Sequence, residues 1–354
     1  MPAKVAYCTG FWCTNIGNGF FSLGVEHVLK KILGQDHVSL VSDYQTYTTG
    51  YGKRLHPAKQ QLEYIAMLDV DYVVLAGPVL SRYFLELWKD VLIQLEKRGV
   101  RYILLSAGTM KMTESALAEC TAFFAAHPPY ALVSRERSTY ELFGKYADHA
   151  YDGVCFSFFA PDYYTPAAMG DEKWIAMNFD KINEPEVRIA DQASPDGFCF
   201  DGQQFAVEHT GLFTKIAEKT DRFSDAIIYA TCWLPHKKRA DQIGDYKVLR
   251  TDHRFHPHYR KKIYRQNNSF CADLPYGYLN LYANTALTLS DRVHACAVTM
   301  AYGHAAMLFS KTNRVGLLER VGAGDITQRP VQLDLQKLQQ EKEEMVSWLA
   351  QILK

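Results

Sequence analysis

The chain has 354 residues, of which 48% are hydrophobic and 22% charged, a globular balance that excludes disordered, collagen-like and rod-like coiled-coil classes. At roughly 150 residues per domain, that length predicts about two domains. Lys+Arg and Asp+Glu each number 39, so the net charge is zero, without the basic excess that a nucleic-acid binder carries.

In chain order, Val5 to Cys8 reads as a strand, followed by a loop rich in Gly, Thr and Asn. Phe20 to Leu33 has helical periodicity with Gly34 just past its end. His37 to Val41 is a second strand, and Pro57 opens a helix to about Met67. Tyr72 to Ala76 is a buried strand that runs into Gly77-Pro78. Tyr83 to Lys97 puts Phe84, Leu87, Trp88, Val91, Leu92 and Leu95 on one helical face. Tyr102 to Ser106 and Ala131 to Ser134 are further strands, with helices over Ser115 to Ala126 and Ser138 to Phe143. Apolar strands alternating with helices predict a parallel sheet covered on both faces, with ligands at the strands' carboxyl ends.

Tyr151 to Asp171 has no clean period and is the expected boundary. Strands then follow at Trp174 to Phe179, Ala226 to Ala230, Lys247 to Leu249, Ala286 to Leu289 and Ala306 to Phe309. Helices are expected at Leu212 to Lys219, Tyr276 to Ala283 and Ala295 to Ala301, with a long amphipathic one from Leu333 to Leu353. The expected division is an α/β lobe over 1–165, a second over 170–330 and a bracing helix over 331–354. Two α/β lobes facing each other across a cleft is the economical architecture. No apolar stretch approaches the roughly 18 residues of a membrane span, and MPAKVAYCTG lacks a secretory h-region, so a cytoplasmic location is expected.

The eight cysteines form no CxxC pair and read as small buried hydrophobes. The segment LTLSDRVHACAVTMAYGHAAML, Leu287 to Leu308, carries the chemistry. Its strand-to-helix turn holds Arg292, a fork suited to phosphate or carboxylate, and His294, a proton carrier near neutral pH. An Arg292–Asp291 pair and a histidine filling a satisfied niche are the plain alternatives. His253-Arg254-Phe255-His256-Pro257-His258 reads as a basic, mobile loop without a fixed scaffold, and no metal is expected. Trp233 to Arg239 is a basic loop that leaves a peripheral contact with anionic lipid open. Tyr44 to Tyr51 is read either as a sugar-stacking loop or as surface packing.

SDRVHA followed by a small-residue helix resembles the S/T-x-R-L/V-H-A signature of the polysaccharide pyruvyl transferase family. Asn15-Ile16-Gly17-Asn18 resembles that family's N-x-G-D turn, DYVVLAG (Asp71 to Gly77) its third strand, and Arg135-Glu136-Arg137-Ser138-Thr139 its R-D/E-x-x-S/T turn. The resemblance implies an α/β fold of two Rossmann-like lobes facing a cleft, glycosyltransferase-B-like, and transfer of a pyruvyl ketal group. The group passes from phosphoenolpyruvate, as co-substrate without further cofactor, to a sugar of a cell-surface polysaccharide or its lipid-linked precursor. It assigns Arg135, Arg292 and Arg314 or Lys311 to the donor, His294 to proton transfer, and Asn15, Gly17, Asn18 and Gly77 to the acceptor side. Asn18 and the Gly77-Pro78 end depart from the family's Asp and Gly-Gly-Gly. A site at the inner membrane face and a homo-oligomer stay open. The competing functions are a nucleotide-sugar glycosyltransferase, for which no ribose-binding Glu stands near Leu289 to Thr299, and a non-catalytic assembly scaffold.

Overall fold

The apolar runs of the first half are too continuous to leave either sheet face in water, and they build a six-stranded, all-parallel sheet. The computed structural model describes residues 2–10, 15–43, 62–110, 112–209, 238–253 and 266–353. Strands β1 (Val5–Thr9), β2 (Val38–Ser42), β3 (Tyr72–Ala76), β4 (Arg101–Ala107), β5 (Ala131–Ser134) and β6 (His149–Asp152) run in the order β2-β1-β3-β4-β5-β6. Helices α2 (Phe84–Lys97) and α3 (Glu114–Ala126) cover one face, and α1 (Gly17–Leu33) the other. The six apolar residues of the α2 stripe are buried, as their spacing predicts. A short helix, α4 (Arg137–Phe143), follows β5, and a single turn, α5 (Ala160–Tyr163), lies in the connection to the second sheet.

The second sheet has the order β11-β12-β7-β14-β15, with β13 beside β12. Its parallel members are β7 (Trp174–Asn178), β12 (Tyr246–Thr251), β13 (Ser269–Phe270), β14 (Leu287–Ser290) and β15 (Ala305–Leu308), while β11 (Gln242–Ile243) pairs antiparallel. An antiparallel meander of β8 (Glu186–Ala190), β9 (Phe198–Phe200) and β10 (Gln203–Glu208) packs on it through Val187, Phe198, Phe205 and Val207. The meander and β6 are additions to the strands read from sequence. The segment read as a helix from Pro57 is described only as a 3₁₀ turn at Glu63–Met67; the elements expected at Leu212 to Lys219 and Ala226 to Ala230 lie outside the described residues.

Both parallel sheets reverse strand order at one place, between β1 and β3 and between β7 and β14. Ligands collect in such crevices at the carboxyl ends. Helix α1 joins the two halves. Phe21, Val25 and Val28 face the first sheet. Ile16 and Phe20 pack against Tyr278 and Tyr282 of α6 (Tyr276–Ala283) and against Ala295 and Val298 of α7 (Val293–Ala301). All nine residues of α7 are buried, so its small side chains let it serve both lobes. Beyond β15 come one turn, α8 (Gly316–Glu319), and helix α9 (Leu335–Ile352). Helix α9 returns to the first lobe: Tyr130 donates to the Ile352 carbonyl (2.6 Å), and Trp348 meets Tyr151 at 5.1 Å between ring centres. Among the described residues, no helix is long and apolar enough to cross a membrane. Cys8, Cys120, Cys155 and Cys296 are buried, Cys199 is exposed, and Cys13 and Cys232 lie outside the described residues.

Candidate active site

The site begins where β7 and β14 end side by side. Asp291, the first residue after β14, is fully buried, and its Oδ2 accepts the backbone N–H groups of Asp180, Lys181 and Ile182 at 3.0, 2.6 and 2.9 Å. Those three bonds fold the loop after β7 back toward the loop after β14. Burial and the neighbouring Asp180 charge raise the Asp291 proton affinity, while the backbone donors and Arg292 pull it down. Ser290 Oγ accepts from Arg292 N (2.9 Å) and donates to Asn178 Oδ1 (3.0 Å), fixing the turn into α7. The Arg292 guanidinium is ion-paired with Asp180.

The first lobe contributes Arg135, directly after β5. Its backbone N–H bonds to Ala107 O at 3.0 Å, and its side chain lies over Gly108. A β-bulge at the end of β4, with Ser106 at φ +51°, aims that glycine at it. A Cβ on Gly108 would stand 2.7 Å from Nη2 and 2.8 Å from Cζ, so only glycine lets the guanidinium lie there. Arg135 is completely buried, and all three of its guanidinium nitrogens lack a hydrogen-bond partner in the protein. The next residue, Glu136, is engaged elsewhere through Oε1, which accepts from Thr109 N (3.0 Å) and the Thr139 hydroxyl (2.8 Å). A buried guanidinium with nothing to donate to costs several kcal/mol, which an incoming anion would remove.

Around Arg135 the charges are mostly positive. Arg314, in the turn after β15, donates to Met110 Sδ of the first lobe (3.0 Å), and burial together with Arg135 and Arg292 lowers its proton affinity to a pKa of about 10. Lys181 is pushed down to about 8 by burial, Arg292 and Arg314, against the opposing pull of Asp291 and Asp180. His294, in the first turn of α7, is held well below its usual value by burial first, then by Arg135, Arg314, His253 and Lys181. It is therefore a neutral imidazole at pH 7, and its Nε2 has no partner in the protein. Four cationic side chains thus converge against three carboxylates, with titrating groups held toward their neutral forms. Such an arrangement has the charge to hold a multiply charged anion, with a neutral imidazole beside it.

The sequence pattern of the polysaccharide pyruvyl transferase family matches residues 15–310. The chain belongs to this family. Its members are transferases, and the matched span contains every site residue just described except Arg314. No protein of curated function matches the chain in sequence. Among solved structures, the chain resembles a protein assigned as UDP-N-acetylglucosamine 2-epimerase from Listeria monocytogenes, at 12% identity and TM-score 0.52, over 99% of this chain and 91% of that one. A second UDP-N-acetylglucosamine 2-epimerase aligns at 9% identity and TM-score 0.51, over 99% and 90%. These likenesses establish the two-lobed glycosyltransferase-B-type fold.

The structure of this pyruvyl transferase family member sorts the residues named from sequence. Arg135, Arg314 and His294 come together as one cluster. Arg292 borders it with Asp180 ion-paired at its Nε and Nη2, whereas the Arg135 guanidinium has no hydrogen-bond partner in the protein at any of its three nitrogens. Lys311 is exposed and is not among the charges acting on His294, Arg314 or Lys181, whereas Arg314 acts on both His294 and Lys181. Asn15 Oδ1 accepts from Gly17 N (3.1 Å), and Gly17 opens beside His294. Asn18 N donates to Asn15 O at 2.9 Å within the same turn. Gly77 stands at φ +83°, its N–H bonds to Leu105 O (3.0 Å), and a Cβ there would meet the Phe21 ring at 2.5 Å. Phe21 in turn lies 5.4 Å from the His294 ring. His253 departs most from expectation. It is fully buried and fixed beside His294, not part of a mobile loop; His256 and His258 lie outside the described residues. Lys181 and Asp180 escaped the sequence reading, since neither sits in a recognisable motif and only the Asp291 loop brings them in. Among the described residues, no three His, Cys, Asp or Glu side chains are grouped as a metal site.

Proposed function

We propose that this protein transfers the pyruvyl group of phosphoenolpyruvate to two hydroxyls of a saccharide, as a ketal on a cell-surface polysaccharide or its lipid-linked precursor. The observation that carries this reading is Arg135, buried with every guanidinium nitrogen unpartnered. Phosphoenolpyruvate brings a carboxylate and a phosphate to the same small molecule, about three negative charges near pH 7. Arg135, Arg314 and Lys181 receive them. Arg292 holds Asp180 and the turn that presents Lys181. The acceptor enters at the Asn15-to-Asn18 turn.

The reaction adds a hydroxyl across the C2=C3 bond: C3 gains a proton and becomes methyl, and C2 gains the oxygen. Phosphate then leaves C2 with the bonding pair, and the second hydroxyl takes its place. His294 is placed to carry one of these protons, and the arginines stabilise charge as the phosphate departs.

Calorimetric titration with phosphoenolpyruvate, inorganic phosphate and UDP-N-acetylglucosamine tests the donor. Phosphoenolpyruvate is expected to bind the wild type, and Arg135→Met to lose that binding at least 100-fold. Tight UDP-N-acetylglucosamine binding with none for phosphoenolpyruvate would transfer the site to a nucleotide-sugar enzyme. Mass spectrometry of glycosides incubated with phosphoenolpyruvate then identifies the ketal and its acceptor.

A further inference from the structure

Addition of a hydroxyl to phosphoenolpyruvate delivers a proton to C3 while another is taken from the oxygen, so one step needs a proton donor and a proton acceptor. His253 stands where the second carrier belongs. Its main chain is pinned on both sides: the N–H donates to Asp180 Oδ2 (3.1 Å), and the C=O accepts the Ile16 N–H (2.7 Å). Its ring meets Phe20 and Tyr278 edge-on, both at 5.5 Å between ring centres, and Nε2 lies 2.6 Å from the Tyr282 hydroxyl oxygen. A Cβ on Gly17 would stand 3.2 Å from His253 Nδ1 and 3.2 Å from His294 Nδ1. Two atoms each 3.2 Å from one point are at most 6.4 Å apart, so the imidazoles face each other across a gap that a glycine keeps clear.

From this geometry we infer that His253 is a second proton-transfer residue, working opposite His294 across the gap at Gly17. The inference rests on the donor reading above. The two rings have different surroundings. His294 is faced by Arg135, Lys181 and Arg314, so a bound anion there raises its hold on a proton. The His253 ring is faced by Phe20, Tyr278 and Tyr282, while its N–H donates to Asp180 and its carbonyl accepts from Ile16 of the acceptor-side turn. Burial keeps the Tyr282 phenol protonated, and its oxygen accepts Nε2–H, a tautomer assigned from the hydrogen-bond network. Nδ1, on the gap side, is then the nitrogen that loads and unloads.

The protons balance over one turnover. Charged His294 gives its proton to C3, and neutral His253 takes the first hydroxyl's proton as that oxygen bonds to C2. The C2–O bond to phosphate breaks, and the leaving phosphate carries off the proton held by His253. The second hydroxyl bonds to C2 and returns its proton to His294. Both imidazoles end as they began.

The test measures phosphate release from phosphoenolpyruvate with a panel of p-nitrophenyl glycosides, and with water alone as acceptor. His253→Gln is expected to lose roughly 10²- to 10⁴-fold in kcat, with the phosphoenolpyruvate KM within about threefold and one limb of the pH profile gone. His253→Gly should regain turnover with added 4-methylimidazole, which repair of a merely structural ring would not produce. Tyr282→Phe keeps the packing if the histidine variants fail to fold, and it should lose about 10-fold as Nε2 loses its partner. His253→Gln turning over within threefold of wild type, or a defect confined to thermal stability with no rescue, removes His253 from proton transfer. Absence of phosphoenolpyruvate binding to the wild type overturns the donor reading instead, and this inference with it.

Discussion

Gly108 has no side chain because Arg135 occupies the space one would need. A Cβ on it would stand 2.7 Å from Nη2, inside any normal contact, so the guanidinium must shift to admit one. Gly108→Ala should therefore displace the arginine and weaken phosphoenolpyruvate binding by at least tenfold, while melting within a few degrees of wild type. Calorimetry on the folded variant checks it. Unchanged affinity would mean that Arg135 does not meet the donor from this position.

Arg135 itself should be a stability liability in the empty protein. Truncating a partner of a satisfied buried ion pair destabilises, but here no partner exists to be orphaned. Arg135→Met keeps comparable bulk and removes an unsatisfied charge. It is expected to raise the ligand-free unfolding free energy by about 1–3 kcal/mol, and to abolish the thermal shift produced by phosphoenolpyruvate. Urea denaturation with and without the anion measures both. A less stable Arg135→Met would show that the guanidinium is already satisfied in the free protein.

Lys181 gives the pH dependence a definite sign. Its folded pKa lies near 8 against an ordinary 10.5, so between those values the unfolded chain binds more protons. Ligand-free stability gains from Lys181 as pH rises through that window. Anion affinity moves the other way, because the donor site loses a charge once Lys181 deprotonates. His294, held below its ordinary value, adds an acid-side loss of stability as pH falls through about 6.5, where the unfolded imidazole takes up a proton. Phosphoenolpyruvate titrations from pH 6.5 to 9.5 should show affinity falling above about 8 in wild type and a flatter profile in Lys181→Met. Identical profiles for the two proteins would exclude Lys181 from the anion site.

The parts of the fold legible in the sequence are those with a strong local cause. The β1, β3, β4 and β5 strands are continuous apolar runs buried on both faces, and α2 carries an unbroken stripe. β6 has no such signature, since all four of its residues are only half-buried at the sheet edge. The meander does carry a local signal: Asp201-Gly202, at φ +50° and +73°, is a two-residue hairpin turn between Phe198–Phe200 and Gln203–Glu208. The site was legible where chemistry sits in one contiguous motif, as in Arg292 to His294 and Arg135. Lys181 and Asp180 are hidden for the opposite reason, and His253 shows in the sequence only as one member of a histidine-rich stretch. Each is placed by a contact more than 25 residues away in sequence, through Asp291 or Tyr282, and no local pattern encodes such a contact.

Helix α9 imposes an order on biosynthesis. Its residues close the β5–β6 side of the first lobe, with Met345 packed over Gly153 and Trp348 on Tyr151. The ribosome makes that surface nearly 200 residues before the helix that covers it, an interval of about 10 to 40 seconds at ordinary elongation rates. The nascent first lobe therefore waits with an apolar flank bare, a natural landing place for a chaperone. A chain released before Leu335 would carry its arginines and histidines but no cover for that flank.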